Sequence, residues 1–94
     1  YLDDMCYDMI EIGNNVTISY GVFFACHGRK QGHNKLFIKD GAYIGMNSSI
    51  VARSSEGVVI GENAVVGACS LVNKSVADNS VVVGVPAREI SKIR

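Results

Sequence analysis

The stretch Ile60-Gly61-Glu62-Asn63-Ala64-Val65-Val66-Gly67-Ala68-Cys69-Ser70-Leu71-Val72 decides the fold. Its large apolar residues Ile60, Val66 and Val72 stand six apart, and Ala64 and Ser70 follow four places after the first two. A helix repeats about every 3.6 residues and a strand every two, so a period of six is neither. It fits a short strand plus a turn, repeated as the sides of a triangular prism. Gly61, Asn63 and Gly67 supply the residue types that turns favour.

Working outward, the same triplet recurs at Ile38, Ile44 and Ile50 and at Ile12, Ile18 and Phe24. Four residues after the nine apolar positions come Val16, Val22, Gly28, Ala42, Ser48, Ser54, Ala64, Ser70 and Val76, every one small or β-branched. Stacked coils put Ile12 over Ile38 over Ile60, Ile18 over Ile44 over Val66, and Phe24 over Ile50 over Val72. These three ladders are the expected core, each side chain contributing about 1.5–3 kcal/mol on burial. The expected fold class is all-β, a parallel β-helix of about three to four coils, whose handedness the hexads do not give.

A coil of three hexads starting at Ile12 would restart at position 30 but restarts at Ile38, and the next would restart at 56 but restarts at Ile60. Both insertions follow the third side, so they leave from one corner of the prism. The first, Cys26-His27-Gly28-Arg29-Lys30-Gln31-Gly32-His33-Asn34-Lys35, holds both histidines of the chain, and the second surrounds Arg53-Ser54-Ser55-Glu56-Gly57. Loops shown on a rigid scaffold commonly carry chemistry. The register ends after Val72. Pro86 is expected to open a last helical turn, and Ile90 and Ile93 are spaced for one face of a short helix, so residues 87–94 read as a helical cap. Residues 1–10 break the period and read as an irregular lead-in, the whole of 1–94 being a single domain.

Composition narrows the function. Ninety-four residues leave room for one small domain, and 48% hydrophobic against 19% charged residues is too apolar for intrinsic disorder. Nine basic residues balance nine acidic ones, so no long-range field draws nucleic acid or an anionic membrane, and any phosphate site must be local. Apolar runs such as Val81-Val82-Val83 fall far short of the roughly 20 residues that span a bilayer. Cys6, Cys26 and Cys69, an odd number without a CxxC pair, fit a reducing compartment and a cytoplasmic location; the acidic start Tyr1-Leu2-Asp3-Asp4 does not read as a secretion signal.

The Ile-Gly-x-Asn hexads, the projecting loop, and the ending Val72-Asn73-Lys74-Ser75-Val76-Ala77-Asp78-Asn79-Ser80-Val81 with Gly84-Val85-Pro86-Ala87-Arg88 resemble the hexapeptide-repeat O-acetyltransferases over roughly residues 10–94. The resemblance implies a left-handed β-helix assembled as a homotrimer, with acetyl-CoA in a cleft between prisms and a hydroxyl acceptor, a sugar or polysaccharide precursor first. In that family the catalytic histidine sits just before the projecting loop, where this chain has Cys26-His27-Gly28. His27 would then act as general base on the acceptor hydroxyl as its oxygen attacks the thioester carbonyl; an imidazole with its ordinary pKa near 6.5 is largely neutral at cellular pH. Gly28 stands where many relatives carry an acidic residue, and His33 is a second candidate.

For the cofactor, Tyr43 matches a position where relatives carry an aromatic residue, Met46 and Ala68 match positions whose backbones contact the pantetheine arm, and Lys74 and Arg88 match basic positions near the coenzyme A phosphates. No metal is expected: a carbonic anhydrase of the same fold uses three histidines, and this chain has two. Two other readings stay open. One is a serine O-acetyltransferase, against which stand the single short loop and the lack of a helical N-terminal region. The other is a non-catalytic trimeric assembly module.

Overall fold

The computed structural model describes residues 10–25, 35–52 and 57–92. Three sheets, parallel except for the last strand, form the sides of a prism. The first side holds β1 (Ile10–Ile12), β4 (Leu36–Ile38) and β7 (Val58–Ile60). The second holds β2 (Thr17–Ile18), β5 (Tyr43–Ile44), β8 (Val65–Val66), β10 (Ser80–Val83) and β11 (Arg88–Lys92). The third holds β3 (Phe23–Ala25), β6 (Ser49–Val51) and β9 (Leu71–Val72). Ile12 pairs with Ile38 and Ile38 with Ile60, Ile18 with Ile44 and Ile44 with Val66, Phe24 with Ile50 and Ile50 with Val72, so all three ladders stand as the spacing required.

Corners turn because the third residue past a ladder position takes a left-handed backbone: Asn15, Asn47 and Asn63 have φ of 59°, 58° and 57°. Asparagine tolerates this conformation because its short polar side chain bonds locally. Gly21 and Gly41 take the same place at φ 78° and 76°, and Cys69, at φ 60°, is neither asparagine nor glycine. Close stacking also constrains Gly45: a Cβ there would sit 2.7 Å from the Ala68 nitrogen and 2.9 Å from the Val66 oxygen, both backbone of the next coil.

Inside, Leu36, Ile38, Ile44, Ile50, Ile60 and Val66 are fully buried, whereas Ile12 and Ile18 keep 46% and 37% of their surface because the first coil is the outermost described. The small residues four places on also point inward. Ser48 and Ser70 are buried with their hydroxyls engaged: Ser48 Oγ donates to the Gly67 carbonyl (2.9 Å), and Ser70 Oγ accepts from the Gly84 N–H (3.1 Å). Truncating Ser70→Ala orphans that N–H, so a loss of about 1–2 kcal/mol of unfolding free energy is expected by urea titration. An unchanged midpoint would show that the hydroxyl holds nothing.

The ladder positions on either side of the insertions pair in the expected register, and the same corner then contracts. Fourteen positions separate Phe24 from Ile38, ten separate Ile50 from Ile60, and four separate Val72 from Val76, which bridges to Ile60 and resumes the first side. The period thus continues past Val72 with a shortened corner, and Val82 pairs with Val66 in a partial fourth coil.

The expected helical cap over 87–94 is corrected: Arg88–Lys92 is strand β11, running antiparallel to β10. The turn Gly84–Ala87 reverses the chain beneath β10, whose lower edge offers backbone partners that a one- or two-turn helix, marginal by itself, cannot match. Ile93 and Arg94 lie outside the described residues, as do residues 1–9 of the lead-in, while Ile10 is already in β1. Among the described residues no helix is long and apolar enough to cross a membrane.

Candidate functional site

The loop corner stands between the third and first sides. His27 and His33, with Cys26, Arg29 and Lys30, lie outside the described residues. At the loop's far end Lys35 is exposed and ion-paired with Glu11 on the first side. Its charge is therefore engaged within the frame. In the third coil the same corner is Asn73-Lys74-Ser75, where Ser75 Oγ accepts from the Val59 N–H (3.0 Å) and fixes the turn beside Lys74.

Lys74 and Arg88 come together in one respect: both line an open groove of about 230 Å³ at the closing end of the prism, with Val72, Val76, Ala87 and Glu89 among its walls. Arg88 begins β11, and the Ala87 N–H donates to the Leu71 carbonyl (2.8 Å), tying the groove floor to the third side. Two cations in a partly apolar groove suit a phosphate group, since charge-assisted bonds to an anion are the strong ones.

Tyr43, Met46 and Ala68 sit elsewhere, on the second side and the corner between it and the third. Tyr43 faces outward between Thr17 and Val65, and its hydroxyl accepts a long bond from Ser19 Oγ (3.5 Å). Met46 and Ala68 occupy equivalent corner positions in successive coils, both exposed, and the Cys69 N–H donates to the Met46 carbonyl (2.9 Å). Through the first three coils the two flanking sides are free of charge at the outward positions Thr17, Tyr43 and Val65 on the second and Phe23, Ser49 and Leu71 on the third, whereas β11 at the end of the second side carries exposed Arg88, Glu89 and Lys92. The first side carries Glu11 and Lys35.

Two further features escaped sequence reasoning. Asp78 Oδ1 accepts from the Glu62 N–H (2.8 Å), as Asp40 Oδ1 does from Asn14 (2.8 Å), capping the turn of the preceding coil; the recurrence of Asp after Lys39 and Ala77 was the available signal. The second is a network of Ser80, Glu89 and Lys92 under β10. Among the described residues no group of three or more His, Cys, Asp or Glu side chains could hold a metal ion, and Cys69 is a free, exposed thiol.

No protein-family model matches the sequence. Serine acetyltransferase of Bacillus subtilis is 38% identical over 80 residues, 85% of this chain and 35% of that protein. The crystal structure of Neisseria gonorrhoeae serine acetyltransferase superposes with a TM-score of 0.80 at 36% identity, covering 93% of this chain and 32% of that one. A galactoside acetyltransferase solved in complex with coenzyme A gives a TM-score of 0.79 at 31% identity, covering 90% and 46%. The chain spans about a third of the length of the serine acetyltransferases it matches. The fold is a left-handed parallel β-helix. In sequence and in architecture the chain belongs to the hexapeptide-repeat acyltransferases.

Proposed function

We propose that the protein transfers an acetyl group from acetyl-CoA to a hydroxyl of a small acceptor, a sugar or polysaccharide precursor first. Carrying this reading is the groove that joins Lys74 and Arg88 in a chain whose net charge is zero. A polyanionic cofactor needs local cations, and these two line one groove, Glu89 beside them, in a chain without net charge. The relative solved with coenzyme A supports the same choice.

Three copies would form the working unit, located in the cytoplasm. In the first three coils the second and third sides, uncharged at their outward strand positions, meet at the Met46–Ala68 corner, and a neighbour packed there would bury Tyr43, Phe23 and Leu71, which a lone prism leaves partly or fully exposed. Tyr43, Met46 and Ala68 stand at a different corner from Lys74. A cofactor held between two prisms draws one wall from each, which is what a separation of this kind requires. His27 is the general base in this reading: it takes the acceptor's hydroxyl proton as the oxygen attacks the thioester carbonyl and passes it to the coenzyme A sulfur, which leaves as the thiol. His33, on the same loop, would orient the acceptor.

A serine hydroxyl is the second acceptor reading, favoured by the serine acetyltransferases among the relatives. Because this chain covers only about a third of those proteins, the lack of a helical N-terminal region is no ground against it.

Titration with acetyl-CoA by calorimetry, across a dilution series whose mass is followed by light scattering, tests the reading. Binding is expected to appear with the trimer and vanish with dissociation. An active monomer would sink the shared-cleft reading. A verified trimer that binds no coenzyme A would instead support the assembly module.

A further inference from the structure

Under β10 lies a polar network that the acetyl-transfer reading does not use. Ser80 is fully buried; its hydroxyl donates to Glu89 Oε1 (3.0 Å) and accepts from Lys92 Nζ (3.1 Å), with Lys92 and Glu89 3.9 Å apart. Strict alternation along a strand would send residues three apart to opposite faces. Here the register pairs Ser80 with Lys92 and Val81 with Ser91, then Val82 with Glu89, so Ile90 is the extra residue of a bulge. That one residue turns Glu89 and Lys92 to the same side, beneath Ser80. Bulges re-aim side chains in this way.

All five residues of β11 are exposed, so apolar burial does little to fix the strand. Its register depends on backbone pairing and on this network. Arg88 precedes Glu89 directly, and both line the groove with Lys74. A carboxylate beside a phosphate site is unfavourable by Coulomb's law unless it serves another purpose.

We propose that Ser80, Glu89 and Lys92 form a strap that positions Arg88, so that with Lys74 it grips the 3′-phosphate of coenzyme A and makes the protein prefer that ligand over its 3′-dephosphorylated form. The strap rests on the cofactor reading above. Ser80, Glu89 and Lys92 are positioning residues; Arg88 makes the contact.

Calorimetric titration of the assembled protein with coenzyme A and with 3′-dephospho-coenzyme A tests the proposal. The wild type is expected to prefer coenzyme A by about tenfold or more, the scale of a hydrogen bond to a charged group. Ser80→Ala and Glu89→Ala should lose most of that preference while holding the dephosphorylated ligand as before. Lys92→Met, which keeps the apolar stem, should do the same if Ser80→Ala fails to fold. Glu89→Gln retains an acceptor for the Ser80 hydroxyl and should rescue the preference. Without a strap, removing the carboxylate leaves only relieved repulsion, and Glu89→Ala would then bind coenzyme A more tightly; that result overturns the proposal. Equal affinity of the wild type for both ligands overturns it too and leaves the cofactor reading standing. Failure to bind either ligand removes both.

Discussion

His27→Ala is expected to slow acetyl transfer by about 10²–10⁴-fold, the range that loss of a general base produces, with coenzyme A affinity and thermal midpoint unchanged. The argument is one of chemistry and position. A hydroxyl is a weak nucleophile until its proton has somewhere to go, and His27 follows Phe24 by three residues at the corner from which both insertions leave. A turnover assay with a panel of sugar and serine acceptors, run on the wild type, His27→Ala and His33→Ala, separates the roles. A base lost at His27 lowers kcat for every acceptor. Loss of an orienting group at His33 raises KM for the one acceptor it holds. Should His33→Ala be the variant that abolishes turnover everywhere, the assignments exchange.

Ile44→Ala should cost about 2–5 kcal/mol, the range for truncating a large aliphatic in a packed core. Ile44 is fully buried at the middle of the Ile18–Ile44–Val66 ladder, with a coil above and below. Nothing flanking it is free to collapse into the vacancy, because the Gly45 N–H to Val66 carbonyl bond (2.8 Å) holds the coils at fixed separation. Small domains have about 5–15 kcal/mol in total, so the variant should melt far below the wild type or lose its cooperative transition. Ile12→Ala, at a ladder position that keeps 46% of its surface, should lose much less. Equal losses at the two sites would mean that depth in the stack does not govern stability.

The contrast between these two isoleucines also shows what a sequence of this kind discloses. The six-residue period fixes which side chains face inward, and inward-facing residues are chosen by burial, a property written into residue type. All three ladders and the insertion corner were legible for that reason. The shortened corner between Val72 and Val76 was not, because a gap of four residues looks like the end of a period until the Val76–Ile60 bridge closes it. Ile90 and Ile93 mimicked a helix face by spacing alone; β11 exists because β10 offers an edge, a partner no local pattern announces. Lys74 and Arg88 were visible only through family resemblance, and the groove that unites them is a product of the chain reversal at Gly84–Ala87. The Ser80 network had no signal in sequence, since it depends on one bulged residue.

The three unequal lengths at a single corner, fourteen, ten and four positions, have a consequence for how such a molecule changes over time. Each coil touches only the coils next to it, so its contribution to stability is nearly independent of what hangs from its edge. Lengthening a flexible loop costs only about 0.6 kcal/mol per doubling. Segments at that vertex can be inserted, trimmed or exchanged while every rung of the frame stays paired. What hangs from the vertex and the integrity of the scaffold are thereby inherited as separate traits, and one architecture can be refitted at that corner without being rebuilt.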